Sequence, residues 1–267
     1  MKLIKLAYSA IVYVFFLGVF NYFIIFLAGD ALAQCFSIFA GLKSVDSGSV
    51  WLAIPGLPAV LSNFVILLVF SLQHTIMARL GFKQLLTRLL PQSAERSTYV
   101  LSTCLILLWL YFAWQPMPAM IWQVEGIFVH VIAAVFLLGA GLVLWSTFMI
   151  SHWELFGLAQ AWHAFRGVQP EEKGLTQPAL YQYVRHPLYL GLFIVLWATP
   201  QMTLGHLVMA VVWSVYIFIG ISFEERDLIR QFGRDYQEYM QRVPKLLPWR
   251  PKVRLNKTAT EIKLEHS

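Results

Sequence analysis

Charged residues are scarce in this chain of 267 residues, because Asp, Glu, Lys and Arg together make up only 13% of it. Hydrophobic residues make up 58% and aromatic residues 15%, well outside the range of soluble globular domains. The few charges are also clustered, since long uncharged stretches alternate with short basic ones. This composition excludes a soluble domain and predicts an integral membrane protein.

Cysteine is also rare. Cys35 and Cys104 lie in unrelated contexts, which argues against a disulfide framework and against a thiolate metal site. Four histidines offer a haem or metal site as an alternative: His74, His130, His152 and His206. No HxxxH or CxxC spacing places two ligands on one helix face, so we expect no metal.

Four uncharged stretches are each long enough to cross a hydrocarbon core about 30 Å thick. They are residues 6–29, 50–78, 97–124 and 126–151. A fifth stretch, residues 187–223, is too long for one crossing and only just long enough for two. Pro200, Thr203 and Gly205 mark a turn within it. The sequence therefore predicts an all-α polytopic transmembrane bundle of four long spans and a C-terminal helical hairpin.

The predicted domain organisation has two parts that form one integral unit. Residues 1–150 form the four-span bundle, and residues 151–267 form an interfacial helix, the hairpin and a cytoplasmic tail. Aromatic residues mixed with polar ones predict that residues 151–166 form an amphipathic interfacial helix. Residues 167–178 have the composition of a polar loop, and residues 232–239 predict a short surface helix.

The basic residues predict the orientation of the chain in its membrane. Half of the 20 Lys and Arg lie after Phe223, and the basic loops all fall on one side of the predicted spans, with Lys43 alone on the other. The positive-inside rule then places both termini in the cytoplasm, as in a bacterial inner-membrane protein. The net charge of +6 is better explained by anionic headgroups than by nucleic acid. A cleaved secretory signal is less favoured, because the first apolar run exceeds a typical signal core.

The string LYQYVRHPLYLG, residues 180–191, carries the first candidate site. Proline is favoured at the first position of a helix, so Arg185 and His186 lie on the approach to a helix that begins at Pro187. The free amides of such a helix attract anions, and Arg185 would help them hold the carboxylate or phosphate of a cofactor. The alternative is an ordinary basic membrane boundary.

Two carboxylates, Glu224 and Glu225, follow directly on the second arm of the hairpin. Adjacent helical residues point about 100° apart, so the two are not a shared acid pair. We expect one to accept hydrogen bonds from vicinal hydroxyls such as those of a ribose, and the other to pair with Arg185, Arg226 or Arg230. The alternative is a pair of solvated charges. A hairpin also brings Arg185 close to these carboxylates, and residues 232–249 would fold back over them as a lid.

These motifs carry a resemblance to a known family. RHPLY, EERDL, the FG dipeptide, a tyrosine pair and VPKLLP resemble the isoprenylcysteine carboxyl methyltransferase superfamily of integral membrane methyltransferases. The strings HTIMAR, ERSTYVL and SHWELFGLAQAWHAFRG, which begin at residues 74, 95 and 151, look like those of the bacterial methanethiol S-methyltransferases. The loop 168–177 departs from the proline and aromatic pattern of that family.

The resemblance implies S-adenosylmethionine as methyl donor, bound between hairpin and tail, and a small thiol as acceptor. The residues that match the cofactor motif are Tyr183, Arg185, His186, Tyr189, Gly191, Glu224 and Glu225. A lipidated cysteine or a lipid headgroup is the alternative acceptor, and a non-catalytic membrane protein of the same fold is a further alternative.

Thiol methylation also makes demands on the chain that the sequence can meet. Attack of a thiolate on a sulfonium removes two opposite charges, so a water-poor membrane pocket favours it. The thiol must first lose a proton, and the candidate bases are His152, His74 and His186. Glu154 would orient His152, and Arg79 would stabilise the thiolate. We expect His130 and His206 to be structural.

Overall fold

Apolar helices dominate the fold, because a backbone in lipid must satisfy its hydrogen bonds internally. The computed structural model describes residues 2–35, 41–169 and 174–248. The helices are α1 (Lys2–Cys35), α2 (Ala59–Ala78), α3 (Leu80–Leu89), α4 (Gln92–Ala113), α5 (Ile127–Ile150), α6 (His152–Leu155), α7 (Leu158–Arg166), α8 (Pro187–Trp197), α9 (Leu204–Phe232) and α10 (Arg234–Arg242). A 3₁₀ turn (Ala179–Gln182) and two short strands, β1 (Met120–Gln123) and β2 (Gln201–Thr203), complete these elements.

Five of the helices in the described part of the chain are long and apolar enough to cross a membrane: α1, α2, α4, α5 and α9. The predicted all-α polytopic membrane bundle is therefore confirmed. Its boundaries differ from those predicted, since α2 begins at Ala59 after Pro58 and α4 already begins at Gln92. Proline favours the first positions of a helix and resists its interior, which moves the start of α2 from residue 50, where the uncharged stretch begins, to Ala59.

The interfacial segment forms two helices rather than the single helix predicted for residues 151–166. Gly157 separates α6 from α7 and adopts a left-handed conformation with φ of 88°. Its backbone also lies against Ser97 of α4, where an added Cβ would come within 2.4 Å of the hydroxyl oxygen. Only glycine satisfies both requirements without strain.

The C-terminal hairpin has arms of unequal length. The first arm, α8, has 11 residues and a rise of about 16 Å, whereas α9 has 29 residues. The non-helical residues 198–203 extend the short arm, and β2 within them pairs antiparallel with β1. The turn predicted around Pro200 and Thr203 is confirmed, but α8 alone is too short to span a hydrocarbon core.

Contacts between elements define two ends of the bundle. At the far end, Thr203 donates a hydrogen bond of 2.6 Å to Asp46, and the Lys43 ammonium donates to the carbonyl of Trp114 at 2.8 Å. Burial raises the pKa of the Asp46 carboxyl to about 6. The opposite end, here called the basic end, contains the start of α8 and the last turns of α9, and so carries the predicted site.

The closest helix crossing lies between α5 and α8. A Cβ added to Gly191 would lie 2.8 Å from the carbonyl oxygen of Gly139, whereas a Cβ added to Gly141 would meet no atom within 4 Å. We therefore expect Gly191→Ala to lower the free energy of unfolding by about 1–3 kcal/mol through overpacking. Gly141→Ala, two residues from Gly139 and on the opposite side of α5, should not lower it. Thermal unfolding in detergent measures both, and equal midpoints would contradict the assigned crossing.

Candidate active site

A buried ion pair joins the two arms of the hairpin at the basic end. Arg185 donates from Nε and Nη2 to Glu225 Oε1 at 2.9 and 2.7 Å, and the two side chains are only 7% and 8% exposed. From Nη1 the same guanidinium donates to the backbone carbonyls of Met240, at 3.0 Å, and Val243. Arg185 is thus occupied by the protein itself, and it fastens the tail to the hairpin.

The tail folds back over the start of α8, as the sequence predicts. The amide of Arg185 donates to the carbonyl of Pro244 at 2.9 Å, and the amide of His186 donates to that of Lys245 at 3.2 Å. The Lys245 ammonium lies 3.3 Å from Glu225 Oε2. The predicted lid extends to Trp249, which lies outside the described residues, as do residues 264–267 at the C-terminus.

Glu224 has a different environment from its neighbour. Its side chain is 43% exposed, and its Oε2 lies 3.9 Å from Nδ1 of the buried His186. Tyr189 of α8 shares a hydrogen bond with this carboxylate. The accessible carboxylate and the buried one are therefore separate, as the 100° between adjacent helical residues predicts.

The opening beside Glu224, His186 and Tyr189 is here called the mouth, and two further tyrosines lie near it. Burial, together with the nearby Glu224, raises the pKa of Tyr181. Burial and the Glu225 carboxylate raise the pKa of Tyr236 in α10. Both hydroxyls therefore stay protonated at neutral pH and can donate hydrogen bonds to a ligand.

A group of polar side chains lies deeper in the bundle and is here called the inner chamber: His74, Tyr99, Tyr189 and Tyr216. The Tyr99 hydroxyl lies 2.9 Å from Nε2 of His74, and Thr75 donates to the Tyr216 hydroxyl at 3.2 Å. Tyr189 is within electrostatic range of both Tyr99 and Tyr216. Because Tyr189 also interacts with Glu224, it connects the inner chamber to the mouth.

His152 lies elsewhere, between α1 and α5. Its Nε2 is 2.7 Å from the Tyr13 hydroxyl and its Nδ1 is 2.7 Å from the Thr147 hydroxyl. The ring stacks on Phe148 at 4.0 Å. Burial lowers the pKa of His152, so it is neutral at neutral pH, but both ring nitrogens already face hydroxyl partners. None of these contacts belongs to the inner chamber.

The other predicted site residues occupy several positions. Arg79 pairs with Asp227 at 2.9 Å and lies 4.4 Å above the Phe223 ring, at the rim where α2 meets α9. Glu154 is in α6, where its carbonyl accepts a hydrogen bond from Gln160. Tyr183 is exposed beside the mouth. Gly191 is in the α5 and α8 crossing, and its predicted role toward the donor, like the other assignments, stays a prediction.

Tyr99, Tyr216 and Lys245 are not among the site residues predicted from the sequence. Tyr99 lies in the ERSTYVL string, one turn after Arg96, whose guanidinium lies 4.9 Å above the Tyr99 ring. Tyr216 lies two turns before Glu224 on the same side of α9. A helical projection of the inward-facing aromatic residues would have identified both tyrosines.

An open cavity of about 510 Å³ lies on another side of the hairpin. Its walls come from α8, α9, α10 and the tail: Arg185, Leu190, Phe193, Phe218, Met240, Pro244, Lys245, Leu246 and Leu247. Phe218 lies about 120° around α9 from Glu224, so this cavity and the inner chamber are on different sides of the helix. Its walls are mainly apolar.

Comparison with known proteins identifies relatives of this chain. The model of the phospholipid methyltransferase family matches residues 127–235, which include α5, α8 and α9. A methanethiol S-methyltransferase of Mycobacterium tuberculosis is 44% identical over 93% of this chain and 97% of its own length. Another, of Crocosphaera subtropica, is 42% identical over 89% of this chain and 92% of its own length.

More distant similarity extends beyond these bacterial enzymes. A nurim homolog of Drosophila melanogaster is 29% identical over 61% of this chain and 67% of its own length. No solved structure matches the chain. The two bacterial relatives match 93% and 89% of this chain. On that evidence, the chain belongs to the methanethiol S-methyltransferase family of integral membrane methyltransferases.

Proposed function

We propose that this protein transfers the methyl group of S-adenosylmethionine to methanethiol, which yields dimethyl sulfide. The observation that carries the proposal is the split between the two carboxylates. Glu225 is buried in an ion pair that holds the tail, while Glu224 stays accessible beside Tyr189. The two adjacent carboxylates thus have different roles. Glu225 holds the tail in place, and Glu224 lines an open ligand site next to the inner chamber.

The residues around Glu224 fit the donor. An accessible carboxylate suits the two hydroxyls of a ribose, since a carboxylate is an acceptor of charge-assisted hydrogen bonds. Tyr181, Tyr189 and Tyr236 supply hydroxyl donors for the polar groups of the ligand, and His186 forms a buried wall of the mouth. When bound, S-adenosylmethionine supplies a methyl group that its positive sulfur makes reactive toward nucleophiles.

The inner chamber fits the acceptor. His74 accepts the proton of the thiol, and Tyr99 holds the imidazole by its hydroxyl contact. The thiolate sulfur then forms the new carbon–sulfur bond as the donor's methyl–sulfur bond breaks, so the positive and the negative charge disappear together. Aromatic walls that keep water out favour such a charge-neutralising step.

The charge distribution supports the orientation that we propose for the membrane. The basic end carries the mouth, and Lys43 lies at the far end. By the positive-inside rule the mouth then faces the cytoplasm, with both termini on that side of a bacterial inner membrane. Donor produced in the cytoplasm would reach Glu224 directly, and the thiol would enter the chamber from the membrane or from the mouth.

A second candidate function is methylation of a lipidated cysteine or a lipid headgroup. The observation that favours it is the open apolar cavity. Phe193 and Phe218 line this cavity near the surface of the bundle. Such a cavity could take a hydrocarbon chain with its polar end near Lys245. The enzyme class is the same, so a test must compare acceptors.

The test incubates purified protein with S-adenosylmethionine and methanethiol and measures dimethyl sulfide in the headspace by gas chromatography. We expect thioether formation from methanethiol, and none from farnesylated cysteine or phosphatidylethanolamine vesicles in parallel assays. Calorimetry of the donor alone reports its binding. Donor binding with methylation of only the lipid-linked acceptors would favour the second candidate, and absence of donor binding would overturn both.

A further inference from the structure

The inward face of α9 contains an open space. One turn separates Glu224 from Gly220, and another separates Gly220 from Tyr216, so the three form one stripe along the helix. A Cβ added to Gly220 would meet no atom within 4 Å, and the residue is partly exposed. Each step of four residues rises about 6 Å along the helix, so this space lies midway between Glu224 at the mouth and Tyr216 in the inner chamber.

This space lies at the edge of the packed side of the helix. On one flank of the stripe Trp213, Ile217 and Ile221 are buried. On the other flank Ile219 is exposed, as is Val215 further around the helix, which is expected for contact with lipid. An unfilled position beside such buried residues of a spanning helix is unusual, because protein interiors leave few voids.

Neighbouring helices pack against α9 from two directions. Contacts of α2 reach one side of α9, through Thr75 to Tyr216 and through Phe70 to Trp213. Contacts of α8 reach the other side, through Phe193 to Phe218. By helical geometry Gly220 lies on the side that α2 contacts, one turn from Glu224, with which Tyr189 also interacts.

A second observation also points to a ligand. The indole N–H of Trp213, two turns deeper than Gly220 on the same face, is buried and has no hydrogen-bond partner among the described residues. Buried donors are nearly always satisfied, and an exception is explained by a group that the protein alone does not supply.

We infer that the space beside Gly220 is the acceptor subsite and that Gly220 sets the upper size of the thiol. The inference rests on the proposed function and makes it more specific, since it restricts the acceptor to short alkanethiols. The missing side chain leaves room for the alkyl group between the Glu224 mouth and His74. A larger residue at this position would fill that room while leaving the surrounding packing intact.

Three variants test the inference with methanethiol, ethanethiol and 1-propanethiol as acceptors. We expect Gly220→Ala to lower kcat/KM for ethanethiol about tenfold more than for methanethiol, because one methylene in a tight pocket changes kcat/KM by about 10–200-fold. Gly220→Leu should lower kcat/KM for methanethiol by about 100-fold or more. Gly141→Leu, at a glycine that likewise meets no atom within 4 Å but lies exposed on α5, should retain wild-type rates.

Calorimetry and thermal unfolding accompany the rates. Donor affinity and the unfolding midpoint of the Gly220 variants should match those of the wild type, since the added atoms enter open space. If Gly220→Leu does not fold, the thiol selectivity of Gly220→Ala still tests whether Gly220 limits the size of the thiol. Active variants with wild-type selectivity would refute the subsite at Gly220 but leave the proposed function intact. A wild type that is inactive toward every thiol would refute the proposed function and this inference with it.

Discussion

Glu225→Gln should destabilise the protein strongly, whereas Glu224→Gln should leave it folded and weaken donor binding. Glu225 is the partner of the buried Arg185, and both side chains are less than a tenth exposed. Removal of one member of a buried pair leaves the other charge uncompensated, at a cost of about 3–5 kcal/mol. The Arg185 contacts to the tail carbonyls depend on the same geometry, so the tail should detach at lower temperature.

Glu224 should behave in the opposite way. Its side chain is 43% exposed, so loss of the charge should change the free energy of unfolding by less than about 0.5 kcal/mol. A charge-assisted hydrogen bond contributes about 1.5–3 kcal/mol, which corresponds to a loss of donor affinity of about 10–100-fold. Thermal unfolding in detergent and calorimetric titration with S-adenosylmethionine separate the two effects.

Glu238→Gln is the matched control for these two variants. Glu238 lies in α10 and its side chain is 48% exposed; among the residues that the structure describes, its carboxylate forms an ion pair only with the exposed Arg234, four residues before it. Such surface pairs contribute little, so this variant should change neither stability nor donor affinity. Wild-type donor affinity of Glu224→Gln would refute the ribose role, and wild-type stability of Glu225→Gln would refute the scaffold role.

Much of the fold could be predicted from the sequence, because lipid imposes simple rules on length and hydropathy. Every predicted span corresponds to an apolar helix, and the hairpin turn lies where Pro200 and Thr203 place it. The first and last residues of the helices could not be predicted as well as their number, because hydropathy does not distinguish a helix from apolar residues outside it. Residues 50–58 are uncharged but not helical, since two prolines lie within them.

The chemistry of the basic end was predictable only in part. Proline at the start of α8 and the hairpin connection were enough to bring Arg185 to the carboxylates, and helical geometry was enough to separate Glu224 from Glu225. Which carboxylate is buried depends on the rotation of α9 against its neighbours, and this is a tertiary property. The space at Gly220 was also hidden, since Gly18 and Gly141 are equally uncrowded glycines in apolar helices.

The same limitation applies to the histidines. Sequence alone offers His74, His152 and His186 as bases, because each lies near a predicted membrane boundary. The structure separates them by their partners, since His186 contacts Glu225 at 3.1 Å, His152 lies between two hydroxyls, and His74 faces Tyr99. Of the three, His74 is the one whose neighbours belong to the inner chamber.

The second large effect is therefore expected at His74. His74→Gln should lower kcat for methanethiol by about 100-fold or more, within the range that general base catalysis contributes. Donor affinity should change little, because the proposed donor site is formed by Glu224 and its neighbours and not by His74. His152→Gln is the matched comparison, and it should lower the unfolding midpoint through loss of its hydroxyl contacts while it changes kcat much less.

A pH series distinguishes a base from a residue that only maintains the pocket. A free alkanethiol is mostly protonated at neutral pH, so the solution itself supplies more thiolate as the pH rises from about 7 to 9.5. If His74 is the base, the kcat of His74→Gln should rise with pH and approach that of the wild type. A constant ratio over this range would indicate a structural role for His74, and a larger, pH-rescued loss in His152→Gln would assign the base to His152 instead.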